Sequence, residues 1–147
     1  MIYSLSYTED LPANSDGCAK AWFVKIRPSR EDDKSIHAHE IDGHVAEWWM
    51  ITLTSAVLLT ALVTSAVKCG FPLSTYIFVL LSPFIQPILY RFCKRYRLWS
   101  EVRAYKIQLK YRPDCLEKYA TWLSLPEPEG YGCQDIVTKG EAIVLLS

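Results

Sequence analysis

Two apolar runs of twenty residues each, only three residues apart, constrain this chain more than anything else in it. Residues 48–67 and 71–90 carry no charged side chain, and Lys68-Cys69-Gly70 lies between them. At a rise of about 1.5 Å per residue, twenty helical residues match the roughly 30 Å hydrocarbon core of a bilayer. A membrane-associated helical hairpin is the expectation. The Thr and Ser residues of the first run can bond back to their own helix carbonyls, and Pro72, Pro83 and Pro87 in the second are tolerated in membrane helices. Trp48 and Trp49 precede the runs, and Tyr90, Phe92, Tyr96 and Trp99 follow, as interfacial anchors would. The competing arrangement is a soluble helical module whose hairpin is covered by partner subunits.

Charge is balanced overall, with 16 basic and 16 acidic residues, so no electrostatic case for a nucleic-acid partner arises. Its distribution is uneven. Arg91, Lys94, Arg95, Arg97 and Arg103 crowd the end of the second run, whereas the connecting turn offers only Lys68. The positive-inside rule then puts both termini in the cytoplasm. Five scattered cysteines without a Cys-x-x-Cys pair read as reduced thiols rather than a disulfide framework. Residues 1–10 show neither the basic region nor the apolar core of a cleavable signal peptide, so none is expected.

The expected fold class is α+β, mainly α, in one domain over residues 1–147. Residues 1–30 should form a small β-hairpin region, because residues 21–27 alternate in character and residues 2–7 can pair with them across the turn region at 12–17. Ser29 followed by acids opens a motif helix within residues 31–47. Residues 48–90 make the apolar hairpin. Residues 91–147 carry helices near 100–110, 116–123 and 135–145, the first stopped by Pro113.

Immediately before the first apolar run stands His37-Ala38-His39-Glu40-Ile41-Asp42-Gly43-His44. It nearly spells the zinc-hydrolase motif His-Glu-x-x-His, with one residue too many. Residues four apart on an α-helix share a face, whereas His39 and His44, five apart, lie about 140° apart on an ideal helix. Two geometries repair this. Asp42-Gly43 can end the helix or widen one turn into a π-bulge, swinging His44 back toward His39; or a regular helix presents His37, Glu40 and His44 on one face. Asp42 is a candidate to orient a ligand imidazole or to cap the broken turn.

A hairpin returns its ends to one side of the membrane, which brings Glu101 near the octapeptide. The chain thus offers His39, His44 and Glu101 as metal ligands, with Glu40 free to act as a base. In this order of elements the chain resembles small zinc-peptidase-like proteins of tailed phages and bacteria: strand 21–27, His39-Glu40 with His44-Val45-Ala46-Glu47-Trp48, the apolar pair, the Arg-rich segment 91–97, and Glu101-Val102-Arg103-Ala104-Tyr105. The resemblance covers roughly residues 20–123, with the extra residue before His44 as its departure. It implies a gluzincin-like zinc site with His39, His44 and Glu101 as ligands and Glu40 as catalytic base.

In such a site the cation would acidify water and polarise a carbonyl, Glu40 would carry the proton, and Tyr105 is a candidate donor to the developing oxyanion, with packing of the hairpin base as its other role. The functional expectation is a membrane-associated zinc metallopeptidase-like protein, phage-encoded by its resemblance, acting on a peptide substrate beside phage or membrane protein partners in the host inner membrane or the virion. The alternative is a non-enzymatic hairpin protein of a phage or virion that anchors to or perturbs the host envelope.

Overall fold

A computed structural model describes residues 1–12 and 15–147. Three short strands, β1 (Ser4–Tyr7), β2 (Gly17–Lys20) and β3 (Phe23–Ile26), form a sheet in the order β1-β3-β2. The hairpin forms not between residues 2–7 and 21–27 but between β2 and β3, with Ala21 and Trp22 as its turn rather than the start of a strand. Ala21 takes the left-handed conformation, φ 57°, that so tight a reversal needs. Residues 2–7 contribute differently from the antiparallel expectation. β1 joins the other side of β3 in parallel, Ser4 opposite Phe23 and Tyr7 opposite Ile26. The turn region assigned to residues 12–17 includes two positions outside the described residues.

The sheet packs through alternate residues of its central strand. Val24 and Ile26 are buried against Ile36 and Val45, while Phe23 and Lys25 point outward. That contact seats the sheet on the first helix, α1 (Lys34–Lys68). Its cap is Asp33, whose side chain accepts from Ser35 N–H, and residues 28–30 form a separate 3-10 turn upstream. Ser29 is therefore not the cap.

The hairpin is present. α1 closes with Gly70 at φ 99° while Phe71 N–H bonds to Ala66 O and Gly70 N–H to Val67 O, a glycine-terminated helix end. The return arm, α2 (Leu73–Phe92), begins as a 3-10 segment, Leu73–Leu81, and becomes α-helical at Ser82. Pro87 lacks an N–H, which leaves the Pro83 carbonyl without its helical partner; the Trp48 indole N–H donates to that carbonyl at 2.9 Å. Within the first run Thr64 Oγ1 and Ser65 Oγ bond back to Thr60 O and Ala61 O. Both arms are long and apolar enough to span a membrane, and only 11 % of each apolar window is buried by the protein itself.

α3 (Lys94–Leu109) then passes beneath α1, beginning six residues earlier than the sequence periodicity places it. α4 (Leu116–Leu123) and α5 (Lys139–Leu146) fold against its far side around Tyr105, Tyr119, Leu123 and Leu146. Thr138 and Glu141 make a reciprocal capping box at the start of α5. One core thus lies under the sheet and another under the C-terminal helices, and the crossing of α1 with α3 lies between them.

Candidate metal centre

The eight residues Ala38–Val45 of α1 are a π-helix. Its hydrogen bonds run from i to i+5, so residues five apart stack as residues four apart do on an α-helix. The extra residue in the motif is absorbed there. His39 and His44 face the same side, with ring centroids 5.0 Å apart. The alternative with His37 on the shared face does not occur; His37 turns outward to the Glu31 carbonyl, 2.8 Å from its Nε2. Asp42 is exposed and orients no ligand.

Gly43 explains how the opposite helix comes close enough. A Cβ at Gly43 would lie 2.7 Å from Ala104 Cβ and 3.1 Å from Ala104 Cα, so a small residue on each helix permits near backbone contact. Arg103, beside Ala104, donates from Nη1 to Gly43 O at 2.7 Å and lies 3.8 Å from Glu47 Oε2. Glu47 is wholly buried and also receives hydrogen bonds from Tyr96 and Gln86. One turn before Ala104 on α3, Glu101 projects into the same crossing.

The three candidate ligands meet there. Glu101 Oε2 is 3.6 Å from His39 Nε2, and Glu101 Oε1 is 3.4 Å from His44 Nε2. Both separations are long for hydrogen bonds, and each, to its own Glu101 oxygen, is near the ~3.3 Å spacing of two ligand atoms on a tetrahedral metal with 2.0–2.1 Å bonds. His39, His44 and Glu101 form the only such donor group among the described residues, with all ligand atoms within 4.8 Å of one another. His39 Nδ1, Glu40 Oε2 and Glu101 Oε2 are buried without a hydrogen-bond partner. The desolvation cost at Glu101 Oε2 is one that a cation between the ligands can offset. The residues fit a divalent metal, and a mixed imidazole and carboxylate set suits zinc.

All four polar groups lie outside the two apolar runs. Burial raises the Glu40 carboxyl above the usual carboxylate range, and the nearby Glu101 adds to that. Burial also opposes charge on His44, but the Glu101 carboxylate outweighs it, with Glu40 and Glu47 contributing, and pushes the ring up to about 9. Burial would raise Glu101 too, and the two imidazoles instead hold it well below the carboxylate range. The site is therefore built to keep Glu101 anionic against a positive partner.

Further side chains support the three candidate ligands. Tyr90 donates to Glu101 Oε1, and Ser100 Oγ lies 3.3 Å from His44 Nδ1, fixing the ring from behind. Tyr105 packs its ring on His39, centroids 4.5 Å apart, and its hydroxyl meets the Tyr131 hydroxyl at 2.6 Å. Tyr131 is held by Arg97, which donates to the carbonyls of Tyr131, Tyr90 and Arg91 and to the Glu127 side chain. One residue of the basic cluster, Arg97, is thus internal and structural; Arg91, Lys94 and Arg95 are exposed. Tyr90, as the aromatic closing the second apolar run, Arg97, in the basic cluster, and Tyr105, in the Glu101–Tyr105 segment, carried a sequence signal, whereas Ser100 and Tyr131 did not.

Glu40 lies beside the three ligands in one cavity and against strand β2. A Cβ at Gly17 would come within 2.8 Å of Glu40 Oε1, so the strand passes directly over the carboxylate. Two cavities, of about 470 and 520 Å³, open on either side, and His39, Glu40 and Tyr131 line both. No family model, curated protein or solved structure matches the chain.

Proposed function

We propose that this chain is a membrane-associated zinc metallopeptidase-like protein, with His39, His44 and Glu101 as ligands. The observation carrying the reading is the convergence of those three donors at 3.4 and 3.6 Å through a π-turn that offsets the extra residue. Zinc bound there would supply Lewis acidity toward water and a substrate carbonyl. Glu40, buried and free of a partner at Oε2, takes the proton of the attacking water. The water oxygen bonds to the carbonyl carbon, the C–N bond breaks, and Glu40 passes the proton to the departing nitrogen. Tyr105 positions His39 through its ring, and its hydroxyl is committed to Tyr131.

The two apolar arms support a membrane location, and exposed Arg91, Lys94 and Arg95 at their open end support a cytoplasmic site and termini. Purified protein should carry about one zinc per chain, lost in His39→Ala and in Glu101→Ala. Glu40→Gln should keep the zinc and lose peptide hydrolysis. Wild-type protein that binds no zinc sinks the reading.

The exposed outer face of the hairpin favours a second reading, an envelope-anchored hairpin protein without catalysis. Full zinc occupancy with no hydrolysis of any peptide, anchored or free, would favour it.

A further inference from the structure

The smaller cavity is the more polar of the two: its wall includes Arg30, Asp33, Arg112, Lys118 and Glu129. The other is mainly apolar and extends toward the hairpin, where Trp48, Gln86, Pro87 and Tyr90 meet Ala19 of β2 and Ala21 of the β2–β3 turn. Trp48 begins the first apolar run and Tyr90 ends the second, so this wall sits at the level where both arms leave the bilayer. Pro87 lies nearly one turn further in. The lip of this cavity is apolar as well. The β2–β3 turn brings Trp22 to 5.1 Å from the Trp48 ring, and Trp22, Phe23 and Ile2 are 39, 54 and 75 % exposed. Ile2 O accepts from the Trp49 indole at 2.8 Å, tying the N-terminal segment to the same level. Exposed apolar side chains therefore occur both on the hairpin and on the sheet beside the site.

Resting on the metallopeptidase reading, we infer that the substrate is a peptide segment emerging from the membrane, its anchored side in the apolar cavity and its free side in the polar one. The apolar cavity wall at the open end of the hairpin favours this occupant over a wholly soluble peptide, which would leave that wall unused. His44 is four residues before Trp48, about 6 Å along the helix, and an extended chain advances about 3.3 Å per residue. The bond hydrolysed then lies within roughly five residues of the end of the substrate's membrane helix. Water adds to its carbonyl carbon, the C–N bond breaks, and the proton moves by Glu40 to the new amine.

The test uses the full zinc-loaded chain in vesicles of phosphatidylcholine and phosphatidylglycerol. The probe is a single apolar helix followed by a flexible, mixed-sequence tail of about thirty residues; the same tail serves as a free peptide. Mass spectrometry should map cuts to the first five or so tail residues, with the free tail cut at least tenfold more slowly. Cuts spread along the tail, or equal cleavage of the free peptide, overturn the inference and leave the hydrolase standing. No cleavage of either probe by protein carrying one zinc overturns the inference and the hydrolysis, and leaves the metal centre. Trp22→Ser with Phe23→Ser should retain zinc and slow only the anchored probe; equal slowing of both probes would also count against it.

Discussion

The two halves of α1 are built in opposite senses. Residues 34–47 bury polar groups: His39, Glu40 and Glu47 are each at most 6 % exposed. Beyond Trp48 the same helix exposes its apolar side chains, with Leu53, Val57, Leu58 and Leu62 between 58 and 69 % exposed. A water-soluble helix shows the reverse in both places. The contrast separates a half whose buried His39 belongs, with His44 and Glu101, to a group that could hold a metal ion from a half that is long and apolar enough to span a membrane.

Leu58→Lys attacks the apolar half and has the largest expected effect. Near the middle of a membrane helix Lys costs about 2.5–3.5 kcal/mol relative to an apolar residue's small gain, so the variant should shift from the membrane fraction or insert poorly. Unchanged membrane partition would place that face in water and break the contrast. Gly43→Ala attacks the polar half. Its Cβ would press on Ala104, destabilising the fold by about 1–3 kcal/mol in chemical unfolding and weakening zinc binding. Ala104→Gly in the same chain should recover part of both losses, and no recovery would mean that helix approach is not what Gly43 serves. Ser100→Ala is the mildest. Losing the contact behind His44 should weaken zinc about tenfold with membrane partition untouched, as calorimetric titration would show.

Much of this arrangement is legible along the chain. The hairpin follows from two uncharged runs of bilayer length, and Pro113 marks an element end as turn chemistry predicts, whereas the last helix starts at Lys139 behind its Thr138 cap rather than at 135. His39, Glu40, His44 and Glu101 stand out because imidazoles and carboxylates are clustered at the two mouths of one hairpin. Other features are invisible locally. Residues 2–7 pair in parallel with β3 because the β2–β3 hairpin occupies its other edge, a choice that strand propensity does not encode. Ser100 and Tyr131 carry no signal, since they lie 56 and 87 positions beyond His44 and meet the site only through α3 and the Arg97-held loop.

The sequence by itself determined which residues could ligate a metal and that they stand beside a membrane-length hairpin, because composition and charge spacing are properties of the chain alone. Whether His39 and His44 share a face was a matter for tertiary structure. Their five-residue spacing fails on an α-helix, and both a π-bulge and a broken helix could mend it. The close crossing of Gly43 on Ala104, with Arg103 donating to the Gly43 carbonyl, accompanies the π-turn in the folded chain and brings Glu101 between the two imidazoles. Those contacts join residues about sixty positions apart, and only packing brings them together.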